Sequence, residues 1–152
     1  LFQANGKFGH RCFPCRYCCL KGRKKRKMLM SSMLLSIKPI YAKAILEGKK
    51  EYEFRKRRCK PGVNKIVFYS TSPESKVVGE AEIEDIIEGS PSKIWELAEK
   101  TAGITRAKYC AYYHGYYNAV AYKLTNVVAY VPPKKLSDYG IGHVPQSFIY
   151  LD

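Results

Sequence analysis

The sequence has few acidic residues and no long hydrophobic run, and both deficits limit what the protein can be. Its 13 aspartates and glutamates stand against 27 lysines and arginines, which gives a formal charge of +14 at neutral pH. Serines interrupt the most apolar stretch, Leu29 to Ile37, well short of the roughly 18 residues that a membrane span needs. A convincing signal peptide is also missing. We therefore predict a cytoplasmic protein without membrane association, whose positive charge favours polyanions such as nucleic acid.

Acidic residues are completely missing from the first thirty positions, and this separates the beginning of the chain from the remainder. This segment has no hydrophobic periodicity and ends in the basic run Lys21–Lys27, a composition typical of a solvated tail. We predict a tail over residues 1–32, either disordered or not native, and one folded domain over residues 33–152. A basic arm for nucleic acid is one alternative. A second is that the run, lying before Met28, Met30 and Met33, is a translated ribosome-binding site.

The cysteines do not form the pattern of a disulfide scaffold. Cys59 and Cys110 stand alone in the domain without an evident histidine partner, so thiol catalysis is not expected. The other four lie in the tail, at Cys12, Cys15, Cys18 and Cys19. With His10 they supply enough soft ligands for a tetrahedral zinc ion, but they crowd into ten residues, whereas structural zinc sites join two ligand pairs across a longer loop. We predict no metal and no cofactor, and the tail cysteines remain the alternative zinc ligands.

Periodicity and turn residues predict an α+β domain in which strands are the majority. We expect strands at residues 33–38, 49–58, 65–69, 77–87, 116–130 and 147–151, and helices at residues 39–47, 90–103 and 105–114. Residues 116–130 are expected to form one long strand or a strand pair bent near Asn126, and Pro132-Pro133 is expected to end it. This order of elements suits a small mixed barrel with helices covering its ends or sides.

Tyrosines recur at helical spacing in the last predicted helix. Tyr109, Tyr112, Tyr113 and Tyr116 fall at positions i, i+3, i+4 and i+7. Most of such a stripe is expected to pack in the core, and one or two exposed rings are candidates for stacking on unpaired bases. Trp95, at an apolar position of the preceding helix, is expected in the core.

The densest basic segment of the domain contains three residues with an informative spacing. Lys50 comes two residues after Gly48, which is placed to end the first helix, so its ammonium is expected at the mouth of the next strand, where it can contact phosphate. Glu53 and Arg55 share one strand face by the two-residue period. Glu53 can accept hydrogen bonds from a base edge, and Arg55 can clamp a phosphate or stack on a base. The alternative is an ion pair on a solvated strand.

The segment at residues 48–55, which reads GKKEYEFR, matches the signature G-x-K-x-x-E-x-R. Further matching segments lie at residues 35–39, 69–73, 78–80 and 145–150. On these residues the chain resembles the ASCH domain family, a PUA-like β-barrel family related to the YTH and EVE domains. The resemblance implies a small barrel with covering helices, a cleft lined by the motif residues, and a role in binding RNA or a modified nucleobase.

We accordingly predict an RNA-binding ASCH domain protein that recognises a modified or flipped base in a basic cleft. The resemblance implies a regulatory role in transcription or translation, and single-stranded RNA or a modified base is the expected partner. The predicted nucleic-acid-binding and base-binding residues are Lys50, Glu53, Arg55, Arg57, Arg58, Ser70, Thr71 and Ser72.

A hydrolase of the same fold is the alternative, with Lys50 and Glu53 as catalytic residues. One branch that resembles this family hydrolyses N4-acetylcytidine with the motif lysine, a threonine where this chain has Glu53, and a carboxylate from the following helical region. The sequence around Ala102-Gly103 has no acid to match it. Other relatives have been proposed as metal-dependent ribonucleases, which would need clustered carboxylates. The candidate cluster lies on one predicted strand face, at Glu80, Glu82 and Glu84.

Overall fold

The computed structural model describes residues 31–151, in which six strands alternate with helical segments. The strands are β1 (Ser31–Ile37), β2 (Tyr52–Arg55), β3 (Val63–Ser70), β4 (Lys76–Gly89), β5 (Ala119–Lys134) and β6 (Phe148–Leu151). The helices are α1 (Pro39–Leu46), α2 (Pro91–Ala98) and α3 (Arg106–Tyr112), with 3₁₀ turns at Glu99–Thr101 and Leu136–Tyr139. None of the helices in this range is long and apolar enough to cross a membrane. Residues 1–30 of the predicted tail, with its cysteines and their candidate zinc site, lie outside the described residues, whereas Ser31 and Ser32 belong to β1.

The six strands form one mixed sheet in the order β2, β5, β4, β3, β1, β6. β1 and β3 are parallel, and the other neighbouring strands are antiparallel. The sheet curls into a half-barrel, and the predicted α+β class with a PUA-like fold is confirmed. Its two edges approach each other, because the Lys60 backbone N–H, just after β2, donates to the Tyr150 hydroxyl of β6 at 2.8 Å.

Two hydrophobic clusters hold the helices against this sheet. In the first, Ile45 of α1 packs among side chains of β1, β3 and β5, including the fully buried Phe68 and Tyr122. In the second, α2 and α3 pack against side chains of β2, β4 and β5, and the Tyr109 ring lies 4.8 Å from the Trp95 ring between centroids. Each such buried side chain stabilises the fold by roughly 1.5 to 3 kcal/mol. The core positions predicted for Trp95 and part of the tyrosine stripe are therefore confirmed.

Strand pairing shifts several of the predicted boundaries. β2 is four residues long, not the ten predicted, because it pairs only with residues 120–123 of β5 and because the backbone N–H groups before it are used elsewhere. β1 begins at Ser31, two residues before the predicted start, since Ser31 and Ser32 still pair with β3. The predicted helix at residues 90–103 ends at Ala98 and continues only as a 3₁₀ turn.

The prediction that Pro132-Pro133 ends the fifth strand is wrong. β5 runs to Lys134, which still pairs with Val77 of β4. β2 does not reach this end of β5, so the second side of β5 is an edge there and the prolines need not donate hydrogen bonds. At the position of the predicted bend, Asn126 has a positive φ of 48°, and the pairing of β5 with β4 shifts register there.

Candidate nucleic-acid cleft

A cleft of about 670 Å³ opens where α1 and α3 face β2 and the segment before β6. Its lining residues are Ser36, Ile37, Lys38, Ile40, Tyr41, Lys50, Glu53, Phe54, Arg55, Thr71, Ile104, Lys108, Ala111, Tyr112, Pro145 and Gln146. Three of the predicted site residues, Lys50, Glu53 and Arg55, lie together at its floor, and we refer to them as the cleft triad.

The end of α1 directs Lys50 into the cleft. Gly48 follows the helix with φ +73°, and its N–H donates to the Ile45 carbonyl. The N–H groups of Lys49 and Lys50 both donate to the Ala44 carbonyl. This is the hydrogen-bond pattern of a helix that closes on a left-handed glycine. The chain therefore reverses within three residues, and the Lys50 side chain points inward.

Lys50 is buried at the floor of the cleft and not at the exposed strand mouth where the sequence placed it. Its side chain is 3% exposed, and its Nζ donates to the carbonyls of Tyr52 and Ala102, the latter at 2.9 Å. The ammonium also lies 4.6 Å from the centre of the Phe54 ring, a favourable cation–π distance. Loss of water lowers the pKa of Lys50 below that of an exposed lysine, and the nearby Glu53 carboxylate opposes this shift.

Gly103 provides the space through which the Lys50 stem passes. A Cβ atom at this position would lie 2.4 Å from Lys50 Cβ and 2.9 Å from Lys50 Cδ, closer than any real contact. The glycine also has φ +62°, which residues with side chains rarely adopt. The segment after α2 therefore fixes the lysine twice, through the Ala102 carbonyl and through the missing side chain of Gly103.

Glu53 and Arg55 do share a strand face, as predicted, and they form a buried ion pair. Arg55 Nη2 lies 2.9 Å from Glu53 Oε1, and Arg55 Nε donates to the same oxygen at 3.1 Å. Glu53 Oε2 lies 3.6 Å from Lys50 Nζ. The triad therefore holds two cations around one anion, with a net charge of +1 at the cleft floor.

Arg55 also joins the two edges of the half-barrel. Its Nη2 donates to the Ser36 carbonyl of β1 at 2.8 Å, and its Nη1 lies 3.5 Å from the Ser147 hydroxyl, just before β6. Most of the guanidinium donors are therefore used inside the protein. Arg55 holds the cleft closed at its base, a task that the sequence did not indicate.

The remaining predicted site residues are not all brought to the cleft. Thr71 lines it, but Ser70 is fully buried beside it, and Ser72 is exposed outside the lining. Arg57 and Arg58 are exposed and also outside the lining. Arg58 pairs with Glu88, and this hydrogen bond raises the pKa of the guanidinium.

Several cleft residues were missed by the sequence reasoning. Lys38 and Lys108 stand exposed at the rim and form no ion pair with any residue between 31 and 151. Tyr41 and Tyr112 add aromatic rings, and Gln146 adds an amide. Lys38 and Gln146 lay within the matching segments, and Tyr112 within the tyrosine stripe, but no spacing rule connected residues so far apart in the chain.

The sequence model of the ASCH domain matches residues 35–133. This chain belongs to the ASCH domain family. Its structure superimposes on the crystal structure of ASCH from Zymomonas mobilis with a TM-score of 0.73 and 30% sequence identity, over 80% of this chain and 87% of that one. A tyrosine-to-phenylalanine variant of that protein matches with the same TM-score at 29% identity, covering 80% of this chain and 90% of the variant.

Two curated relatives are also similar in sequence to this ASCH domain. Large ribosomal subunit protein uL22 of Ureaplasma parvum is 32% identical over 129 residues, which are 84% of this chain and 42% of that protein. An ASCH domain-containing ribonuclease of Zymomonas mobilis is 35% identical over 92 residues, which are 60% of this chain and 62% of the relative. The chain therefore spans less than half of the first relative and less than two thirds of the second.

The carboxylates considered for catalysis lie away from the cleft of this ASCH domain. Glu80, Glu82 and Glu84 each bind a different partner outside it: Lys65, Asn126 and Lys123. Across residues 31–151, no three histidine, cysteine, aspartate or glutamate side chains come close enough to hold a metal ion. Beside Lys50, the 102–103 segment contributes the Ala102 carbonyl oxygen and no carboxylate.

Proposed function

We propose that this ASCH domain binds single-stranded RNA and inserts one unpaired or modified base into the cleft. The observation that carries the proposal is the meeting of a cationic floor, two rim lysines and two aromatic rings in one cleft of nucleotide size. Sequence-specific RNA recognition generally uses unpaired bases that stack on aromatic rings and bond through their edges. A regulatory role in transcription or translation is the biological expectation that accompanies this binding.

Each part of the cleft suits a different part of a nucleotide. Lys38 and Lys108 suit the flanking phosphates, since both are exposed and without an ion-pair partner among the described residues. Tyr41 and Tyr112 suit the base faces. The Gln146 amide offers both donors and an acceptor for a base edge. The triad supplies a net positive charge below the base from side chains that are largely buried.

The test is fluorescence anisotropy of labelled single-stranded RNA with the full chain. Replacing both rim lysines, Lys38→Gln with Lys108→Gln, should weaken binding and make the log–log salt slope shallower by about 1.4, because two phosphate contacts are lost. The matched control replaces two exposed lysines outside the cleft, Lys93→Gln with Lys100→Gln. Equal losses in both double variants would mean that RNA responds only to total charge, and the cleft proposal would fail.

The basic tail is tested with a separate variant in this experiment, since it carries enough charge to bind RNA without the cleft. Replacing Lys24, Lys25 and Arg26 by glutamine removes three of its charges. We expect weaker nonspecific binding, with the difference between rim variant and control preserved. If binding disappears with the tail charges alone, RNA affinity belongs to the tail and not to the ASCH domain.

RNA cleavage is the second candidate function. It is favoured by the likeness to the Zymomonas protein named a ribonuclease and by the Lys50 ammonium at the cleft floor. In this reaction the ribose 2′-hydroxyl loses its proton to solvent and its oxygen attacks the adjacent phosphorus, while the 5′-oxygen leaves and takes a proton from solvent. The Lys50 ammonium stabilises the negative charge on the phosphoryl oxygens. Cleavage in the same cleft requires the binding proposed above, so the two functions are compatible.

Matched lysine variants test this second candidate. On end-labelled RNA, the Lys50→Met variant should show no cleavage. The control variant Lys49→Met changes the exposed neighbouring lysine and should cleave RNA at the wild-type rate. Intact RNA after prolonged incubation with micromolar wild-type protein would leave binding as the function. Equal cleavage by both variants would exclude Lys50 from the reaction.

A further inference from the structure

Three exposed tyrosines follow one another closely at the end of α3 and just after it, and the first of them, Tyr112, lines the cleft. The relative exposure is 38% for Tyr112, 48% for Tyr116 and 96% for Tyr117. Aromatic rings normally contribute to the core, so a group of exposed rings on one surface indicates that something binds there. We call these three residues the tyrosine platform.

One lysine links two rings of the platform. Lys56 Nζ lies 4.8 Å from the centre of the Tyr112 ring and 4.0 Å from the centre of the Tyr116 ring. Tyr112 lines the cleft, and Lys56 directly follows Arg55 of the cleft triad. The platform is therefore continuous with the cleft, and a chain leaving the cleft past Tyr112 meets Lys56 and Tyr116 next.

The platform differs from the other lysine–tyrosine contacts of the molecule. Lys60 covers the Tyr150 ring and Lys134 covers the Tyr130 ring, but both of those hydroxyls form hydrogen bonds that tie strands together. Between residues 31 and 151, the hydroxyls of Tyr116 and Tyr117 form no hydrogen bond. These two rings therefore have no evident structural task.

The stretch of chain that carries the platform has charge of one sign. No acidic residue occurs between Glu99 and Asp138, a stretch that contains the whole platform. Arg57, next to Lys56, is exposed. Positive charge interleaved with exposed aromatic rings is the chemistry of surfaces that track single-stranded nucleic acid, where phosphates meet cations and bases stack on rings.

We propose that the tyrosine platform stacks the bases of the nucleotides that flank the one in the cleft, with Lys56 between them for a phosphate. This inference rests on the proposed function, because it extends the RNA path beyond the cleft. RNA that reaches past the cleft gains affinity from the platform, whereas RNA too short to leave the cleft does not.

The experiment measures how RNA length and the aromatic rings of the platform together determine the RNA affinity of the full chain. Labelled oligouridylates of two and eight nucleotides are titrated with wild-type protein and with the double variants Tyr116→Leu/Tyr117→Leu and Tyr116→Phe/Tyr117→Phe. The leucine variant should bind the eight-nucleotide RNA at least about tenfold more weakly, since stacked bases are lost. Its affinity for the dinucleotide should be unchanged. The phenylalanine variant keeps the rings and should retain wild-type affinity for both.

Each outcome separates this inference from the proposed function. If the leucine variant binds both RNAs as wild type does, while the rim variant Lys38→Gln/Lys108→Gln weakens both, the cleft stands and the platform proposal is overturned. If the leucine and phenylalanine variants weaken binding equally, the hydroxyls and not the rings are used, which also overturns stacking. If wild-type protein binds neither RNA, the proposed function and this extension of it fail together.

Discussion

The molecule carries two groups of charged residues with the same chemistry and very different surroundings. The cleft triad lies at the floor of the cleft, with the side chains of Lys50 and Glu53 3% and 7% exposed. The second group, which we call the outer pairs, lies on β3, β4 and β5, where Glu80 meets Lys65 and Glu84 meets Lys123 at exposed or half-exposed positions.

The difference shows where charge is structural and where it is only solvated. Water screens the outer pairs, so breaking one leaves two ions that solvent can accommodate. Water cannot replace a missing partner in the triad. Each of its ions is stabilised by the neighbouring ions, and its cations also by the carbonyls of Tyr52, Ala102 and Ser36. Lysine, arginine and glutamate side chains therefore form a rigid site in one place and a solvated surface in the other.

The largest effect is expected from removing the anion of the triad. Glu53→Gln leaves Lys50 and Arg55 as two buried cations without a counter-ion, which should lower the free energy of unfolding by about 3 to 5 kcal/mol. Urea denaturation followed by circular dichroism measures it. The matched control among the outer pairs, Glu84→Gln, should shift the midpoint far less. Similar losses in the two variants would erase the distinction between the two groups.

The next effect concerns the space through which Lys50 passes. Gly103→Ala places a methyl group against the lysine stem and should cost about 1 to 3 kcal/mol beyond the backbone strain, with weaker RNA binding. Gly140→Ala is the control, since Gly140 has a similar φ of +71° and no atom within 4 Å of the added Cβ. Denaturation and RNA titration of both variants decide the matter. Equal stability losses would show that only backbone strain counts and that Lys50 is not held by this contact.

The order of elements could be predicted from the sequence because each element carries its own local pattern. Pro39 and Gly48 bracket α1, and Ser90 accepts a hydrogen bond at the start of α2, as such residues commonly do. The predicted ends of β2 and β5 were wrong because neighbouring strands determine where these strands end. β2 stops where β5 no longer faces it, and β5 continues through two prolines where no neighbour requires their N–H groups.

Only those cleft contacts that follow from the two-residue period of a strand could be predicted from the sequence. The period of a strand places Glu53 beside Arg55, and the structure has them in contact. The burial of Lys50 depends on Ala102, 52 residues away, and Arg55 reaches Ser147, 92 residues away. Contacts at such separations follow from the curl of the sheet and leave no periodic trace, so the rim lysines and the role of Gly103 were not predictable.

A third test removes the buried cation while keeping its packing. Lys50→Met preserves the stem and leaves Glu53 paired with Arg55, but the buried Ala102 carbonyl loses its donor. Stability near neutral pH should therefore fall by about 1 to 3 kcal/mol, and cleft function should be lost. The pKa of Lys50 is lowered in the folded protein, so just below the ordinary lysine pKa of 10.5 the unfolded chain binds more protons. Wild type should therefore gain stability relative to the variant as the pH rises through that window. Parallel stability curves for the two proteins would contradict the lowered pKa.

The smallest effect is expected on the outer pairs, and it should appear at the opposite end of the pH scale. Hydrogen bonds from Lys65 and from the Tyr130 hydroxyl lower the pKa of Glu80. A carboxylate whose pKa is lowered by folding stabilises the protein above its ordinary pKa of 4.5, and this contribution is lost as the pH falls through the folded value. Glu80→Gln should thus cost under about 1 kcal/mol near neutral pH and nothing in strong acid, because the exposed group is largely screened. If Glu80→Gln lowers the free energy of unfolding as much as Glu53→Gln does, Glu80 is also a structural charge. The number of hydrogen bonds to a carboxylate, and not its burial, would then distinguish the two groups.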